Sequence, residues 1–357
     1  MRICFVTGFG KLGAERQTSL LIRLLSQHHK VDVVGFVPAE TKASAGDWLS
    51  ISDAVRYRMG YVNYYVFALA ALTKVLRKLD PDVCIQRAVG DLTGFVGTYC
   101  RIHNCRFIYH SASNGDPQSS LALELSGSPL RFAYYTVGLL LADAIAAQTW
   151  EIAARFRRKY HGMKEIQVVP QVYDAANIIP SVQKEGFVLW IARLIWYKRP
   201  EIFIDLAQSM PSYRFIMAGG GPMESYVKTR TKNVPNLSFL GPIGHQNAEE
   251  LCGNASVFVN TSVIEGFPNT LLECAARETP FIAMSYDPDE IICKNRIGFH
   301  SRSFEELRRD VRSIMDDARL GAELGRNGRE YVIANHSPKL GLQAYERLLS
   351  HLPVRQR

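Results

Sequence analysis

Ile3-Cys4-Phe5-Val6-Thr7, followed at once by Gly8-Phe9-Gly10-Lys11-Leu12-Gly13, is a short apolar run that ends in a glycine-rich turn. A helical pattern at residues 15–27 comes next. Further short apolar runs at 31–37, 83–86, 107–110 and 145–148 alternate with helical patterns at 61–79, 92–102 and 151–160. Strand and helix taking turns in this way predict an α/β chain built on a doubly wound parallel sheet. A second series of strand-like runs occupies 187–192, 215–218, 237–240, 257–260 and 281–284, again with helical patterns between. Residues 171–186 have little periodicity and read as a linker. The chain therefore divides into a Rossmann-like domain at 1–170, a linker at 171–186 and a second Rossmann-like domain at 187–336. A terminal segment at 337–357 carries a helical pattern at 339–350 that is placed to fold back onto the first domain. Two such domains are expected to face one another across a cleft. Ligands of open α/β sheets lie beyond the carboxyl ends of the strands, which directs attention to the loops after Thr7, His110, Ala192, Ala218 and Asn260.

Composition narrows the class. At 357 residues the chain is too long for one ordinary core, and 47% hydrophobic with 21% charged residues is the balance of a folded globular protein. Lys and Arg number 42 against 34 Asp and Glu, a net charge of +8 that favours phosphate-rich ligands or anionic surfaces without choosing among them. Seven cysteines show no paired C-x-x-C spacing and several fall in apolar runs, so they read as reduced core residues of a cytoplasmic protein. The longest apolar stretches, 61–73 and 132–142, fall short of the roughly 18–20 residues that a membrane span needs.

The richest chemistry lies in Glu265-Gly266-Phe267-Pro268-Asn269-Thr270-Leu271-Leu272-Glu273. Asn269 or Thr270 reads as the cap of a helix that Thr279-Pro280 ends, which puts Glu265 in the preceding loop and Glu273 on the first or second turn. N–H groups at such a helix start suit a phosphate, while carboxylates beside them suit sugar hydroxyls, which they accept in pairs. Arg193 and Lys198, after the first strand of the second domain, bring a bidentate fork and a point charge suited to a diphosphate that gains charge as it leaves. Gly219-Gly220-Gly221-Pro222 is either a place of close ligand or backbone approach or a tight turn before a helix. Gly8 to Gly13 matches G-x-G-x-x-G, but no acid ends the second strand as a nicotinamide site would want. His110, at a strand end, is either a hydroxyl contact or a core histidine. The basic run 155–161 reads as a solvated helix face with some affinity for anionic lipid. Of two Asp-Pro-Asp triplets, 80–82 reads as a turn before a strand and 287–289 lacks partner ligands, so neither reads as a metal clamp.

Arg193 with Lys198-Arg199-Pro200, Ala218 to Pro222, Asn236 to Pro242 and Glu265 with Glu273 together resemble the retaining glycosyltransferases of family 4, glycosyl transferases group 1, which have the GT-B fold. The resemblance spans nearly all of the second domain and, more loosely, Gly13-Ala14-Glu15-Arg16 and 142–148 of the first. Ala192, where many members carry Gly, and Pro268-Asn269 depart from the usual pattern. The resemblance implies that the second domain binds a nucleotide-sugar donor, UDP- or GDP-linked, and that the first binds the acceptor. Arg193 and Lys198 are then expected on the diphosphate, Glu265 on the transferred sugar and Glu273 on the ribose diol. The backbone from Gly266 through Phe267, Pro268, Asn269 and Thr270 to Leu271 is expected on the sugar and distal phosphate. Gly10 and Gly13, with Gly219 and Gly220, are expected near the donor, and His110 near sugar and acceptor. No cofactor or metal is obligatory in that scheme, the acceptor is a glycan or lipid-linked oligosaccharide, and nucleic acid is not a partner. A lipid-linked acceptor would bring the protein to the cytoplasmic face of an anionic membrane. Three rival readings follow from the residues: an NAD-dependent oxidoreductase using Gly8 to Gly13, a hydrolase using the two carboxylates, and a non-catalytic basic binding module.

Overall fold

The alternation of short apolar runs and helical patterns becomes two six-stranded sheets, each the centre of its own unit, with every strand pairing parallel. The structure is a computed structural model that describes residues 1–8, 13–36, 61–118, 127–162, 165–181 and 184–353. Unit 1 comprises Met1–Val172 and Pro338–Arg357, and unit 2 comprises Tyr173–Ser337. The glycine-rich turn at 9–12, with the expected donor contact Gly10, lies outside the described residues.

Unit 1 runs β1 (Arg2–Gly8), α1 (Gly13–Leu25), β2 (Lys30–Phe36), α2 (Tyr61–Leu79), β3 (Val83–Arg87), α3 (Asp91–Ile102), β4 (Arg106–His110), α4 (Pro129–Leu141), β5 (Ala144–Ala147), α5 (Trp150–Lys159) and β6 (Glu165–Val168). Its strand order is β2-β1-β3-β4-β5-β6. The central strands are largely apolar because helices cover both faces. Cys4, Val6, Cys84, Phe107 and Tyr109 pack into one layer with Leu72 of α2, Phe95 of α3 and Leu139 of α4. Their neighbours Ile3, Phe5, Val83, Ile85 and Ile108 pack into the other with Leu21 and Leu25 of α1. Polar residues set the helix starts: the Ser128 hydroxyl accepts from the Arg131 N–H at 3.2 Å and Thr149 from that of Ile152 at 3.2 Å. Helices α3 and α4 approach so closely that a Cβ on Gly138 would lie 2.2 Å from the Thr93 carbonyl oxygen.

Unit 2 runs β7 (Phe187–Ile191), α6 (Pro200–Ser209), β8 (Arg214–Ala218), α7 (Glu224–Thr231), β9 (Leu237–Phe239), α8 (His245–Asn254), β10 (Val257–Asn260), α9 (Asn269–Ala275), β11 (Phe281–Ala283), α10 (Ile291–Lys294), β12 (Gly298–His300), α11 (Phe304–Asp316) and α12 (Ala318–Asn335). Its order is β12-β11-β10-β7-β8-β9, and Val188 and Trp190 again alternate with Phe187 and Leu189 between two core layers. The chain then returns to unit 1 as α13 (Pro338–Ser350), whose Ala344, Tyr345, Leu348 and Leu349 join the layer of Ile3 and Phe5.

Two local readings change. Strands β6 and β12, four and three residues long, extend each sheet beyond the five strands read from the sequence. Both are edge strands, too short and too polar to show an apolar run. Helix α9 starts at Asn269 with Pro268 at the cap position and no side-chain cap, so neither Asn269 nor Thr270 caps it. The Asp-Pro-Asp triplets act as local braces: Asp82 accepts from the Arg2 N–H at 2.7 Å, and Asp287 accepts from the N–H groups of Ile292 and Cys293 at 2.9 and 3.2 Å. No helix among the described residues is long and apolar enough to cross a membrane.

Candidate active site

In unit 2 the loop after β7 and the loop after β10 are bolted together at the carboxyl ends of their strands. Thr261, just past β10, is fully buried; its hydroxyl takes the Trp190 indole N–H at 3.0 Å and lies 2.6 Å from the Lys198 carbonyl oxygen, to which it donates. The Val263 N–H donates to the Tyr197 carbonyl at 2.9 Å. Asn260 closes its own turn by accepting from the Ser262 N–H at 2.8 Å. Lys198 ends a single 3₁₀ turn, Trp196–Lys198, and Arg199 takes a left-handed backbone conformation before Pro200 starts α6. These constraints bring the Lys198 ammonium into an ion pair with the Glu265 carboxylate, and the Asn260 amide reaches the same oxygen at 3.5 Å. Their side chains are only 16% and 14% exposed, so the pair is held out of bulk water yet open on one side.

A glycine clasp fixes the first of these loops. Gly219 and Gly221 have φ of 144° and 151°, and a Cβ on Gly219 would sit 1.9 Å from the Ala192 carbonyl oxygen. The Leu194 N–H donates to the Gly220 carbonyl at 3.0 Å, and the Met223 N–H to the Leu194 carbonyl at 3.0 Å. The approach that excludes a side chain at Gly219 and Gly221 is made by the Ala192–Leu194 backbone. Between those residues Arg193 is exposed; its carbonyl accepts from the Ile195 N–H at 2.9 Å, and its guanidinium makes no hydrogen bond or ion pair among the described residues.

Glu273 lies on α9 and is 7% exposed. Its carboxylate stands 4.0 Å from His245 Nδ1, beside a network that the sequence did not signal. Glu249 takes the Tyr173 hydroxyl at 2.9 Å and lies 3.1 Å from His245 Nε2 and 3.2 Å from Arg277, which also donates to the Glu273 carbonyl at 3.1 Å. Phe267 and Leu271 are buried in the core, Phe267 with its ring centroid 4.6 Å from that of His336, so only their backbone groups remain for a ligand. Helix α9 has seven residues, which makes its individual N–H groups more important than a summed dipole.

In unit 1, Gly13 opens α1 and His110 ends β4. His110 is 3% exposed; its Nδ1 is hydrogen-bonded to the Tyr345 hydroxyl of α13, and its Nε2 has no partner among the described residues. Burial, together with the Arg87 guanidinium, pulls its pKa well below the ordinary histidine value, so the ring is neutral. Arg87 is its register partner on β3 and lies 3.4 Å from the Gln171 side-chain oxygen. Nearby Asp116 accepts from the Tyr109 hydroxyl and the Ala112 N–H, each at 2.7 Å, and burial raises its pKa nonetheless. Neither Arg87 nor Tyr345 stood out in the sequence: a strand-end arginine and a helix tyrosine carry no motif.

Two doubly wound units, each on an all-parallel six-stranded sheet, have the GT-B fold. Residues 174–331 match the family model described as Glycosyl transferases group 1. That match spans most of unit 2 and none of the first sheet. It is 22% identical over 346 residues, 92% of this chain and 93% of the other, to a Campylobacter jejuni enzyme named GalNAc-alpha-(1->4)-GalNAc-alpha-(1->3)-diNAcBac-PP-undecaprenol alpha-1,4-N-acetyl-D-galactosaminyltransferase. Anabaena HepE, solved with UDP and glucose, superposes with a TM-score of 0.79 at 16% identity over 99% of this chain and all of that one. Staphylococcus aureus TarM, solved with UDP, gives 0.67 at 17% identity over 78% of this chain, which spans 58% of the TarM chain.

Proposed function

We propose that the protein is a retaining glycosyltransferase that moves a sugar from a UDP- or GDP-sugar to a hydroxyl of a lipid-linked oligosaccharide or other glycan. The observation that carries this reading is the Lys198–Glu265 ion pair, locked by Thr261 at the carboxyl ends of β7 and β10, with Glu273 on the helix that follows. In this reading unit 2 is the donor side. Lys198 and Arg193 take the diphosphate, Glu265 accepts hydrogen bonds from the sugar, and Glu273 accepts from the ribose diol. The backbone of Gly266 to Leu271 lines the sugar and distal phosphate, and Gly220 approaches the donor from the clasp. Unit 1 holds the acceptor, with neutral His110 turning Nε2 toward a hydroxyl.

The reaction breaks the bond from C1 of the sugar to the diphosphate oxygen and forms one from C1 to the acceptor oxygen on the same face. The acceptor's proton passes to the departing phosphate oxygen, which explains why no separate base is required. Charge grows on the diphosphate as the bond opens, so cations fixed beforehand stabilise the transition state more than the ground state. Lys198 and Arg193 fill that role, and turnover should not require an added metal or cofactor. The C. jejuni relative, whose name specifies an undecaprenol-linked acceptor, favours a lipid-linked substrate and with it peripheral contact at the cytoplasmic face of an anionic membrane.

A thermal-shift series with UDP, GDP, ADP and NAD tests the class and the donor together. UDP or GDP should raise the melting temperature, by about 2.7 kcal/mol of added stability at one hundred times Kd. A shift with NAD and none with any nucleoside diphosphate would restore the oxidoreductase reading of Gly8 to Gly13.

A further inference from the structure

Four cysteines meet on the α3 side of the first sheet, at the end away from His110. Cys4 on β1 and Cys84 on β3 are register partners on neighbouring strands, and both face the layer that α3 covers. Cys100 sits near the end of α3, and the Cys105 N–H donates back to the Cys100 carbonyl at 3.0 Å, which folds the connection to β4 inward. The result is that the sulfurs of Cys84, Cys100 and Cys105 all lie within 4.8 Å of one another, with Cys105 and Cys84 3.8 Å apart. Cys4, the register partner of Cys84, stands beside the group with its thiol 3.9 Å from the Phe5 carbonyl oxygen. All four residues are buried, at 0%, 0%, 1% and 5% exposure for Cys4, Cys84, Cys100 and Cys105.

We propose that Cys84, Cys100 and Cys105, with Cys4 beside them, form a thiolate site for a divalent d10 cation of the zinc class. Sulfurs bound tetrahedrally at about 2.3 Å from zinc stand about 3.8 Å apart, the separation already present between Cys84 and Cys105. Three thiolates and a dication leave one negative charge, beside which Arg106, the next residue after Cys105, carries a positive one. Binding breaks three S–H bonds, releases three protons to the solvent and forms three sulfur–metal bonds; no electron changes hands. A bound ion would tie β3, α3 and the start of β4 together, as structural zinc does in small domains. The site is independent of the transfer chemistry.

The test begins with elemental analysis of full-length protein purified without chelator or metal-affinity resin, where about one zinc per chain is expected. Cadmium is then titrated into chelator-treated protein, where a thiolate-to-cadmium charge-transfer band should saturate at one equivalent and about three protons should be released. Cys105→Ser and Cys84→Ser should abolish the band. Cys293→Ser, at an exposed position, and Cys274→Ala, in unit 2, should leave it intact. No band, a band that survives Cys105→Ser, or one lost with either control overturns the proposal. So does a count of five rather than seven free thiols after denaturation, since that would mean a disulfide. Should the Cys105 and Cys84 variants fail to fold, the stoichiometry of the unaltered protein and the two controls still decide.

Discussion

Glu265→Gln is the sharpest perturbation of the proposed site, because it keeps the shape of the side chain and removes its charge. At a contact of roughly 3 Å and an effective dielectric near 20, the attraction between Lys198 and Glu265 is about 5 kcal/mol before desolvation is subtracted. With the two side chains 16% and 14% exposed, the net value belongs between a surface pair, at most about 1 kcal/mol, and a fully buried pair, whose rupture costs about 3–5 kcal/mol. Glutamine still offers the ammonium one oxygen, so a loss of about 1–2 kcal/mol is expected. For a domain of 150–250 residues that lowers the melting temperature by about 2–8 °C. Transfer should fall much further, by about a hundred- to a thousandfold, because a charge aimed at the reacting sugar is gone. Calorimetry gives the first number, and nucleoside diphosphate release from a panel of UDP- and GDP-sugars gives the second. The double variant Lys198→Met with Glu265→Gln separates the two effects: with neither charge left unpaired, stability should return to within about 1 kcal/mol of the parent while transfer stays lost. Turnover of Glu265→Gln within threefold of the parent would show the pair to be a structural brace and refute the reasoning.

Gly219→Ala should lower both the melting temperature and the stabilisation by UDP or GDP, since a Cβ 1.9 Å from the Ala192 carbonyl oxygen at a φ of 144° must displace the loop that carries Arg193; an unchanged nucleotide shift would contradict the clasp. Gly138→Ala should destabilise unit 1 by about 1–3 kcal/mol or more, because the new methyl meets α3 backbone that cannot yield without moving the helix; denaturant unfolding reads this directly. The lowered pKa of His110 has a definite sign: the unfolded chain takes up its proton near pH 6.5 while the folded protein refuses it, so stability is intact above that pH and declines below it. The melting temperature should therefore fall between pH 7 and 5 by more in the parent than in His110→Asn, and equal slopes would disprove the assignment.

The central strands could be read from the sequence because a parallel strand covered on both faces has to be apolar at every position, and such runs as Phe187-Val188-Leu189-Trp190-Ile191 stand out against helical spacing. Edge strands escape this rule. β6, Glu165-Ile166-Gln167-Val168, buries one side chain in four and looks like the tail of a helix until β5 is there to pair with it. The cap of α9 was misread for a related reason: Asn269 and Thr270 are good caps in general, but the preceding proline takes the extended conformation that the cap position needs.

By itself the sequence determined the two α/β series, the loops at the carboxyl ends of their strands and the residue types gathered there, because burial on two faces and ligand binding at strand ends both leave local signatures. Only the tertiary structure decided which of those residues meet. Lys198 and Glu265 are 67 positions apart and Tyr345 lies 235 beyond His110, distances at which no local pattern constrains a pair. The same holds for Cys4, Cys84, Cys100 and Cys105: their proximity comes from the register of β1 against β3 and the packing of α3 over both, and a pairing register is a property of the folded sheet that spacing along the chain does not encode.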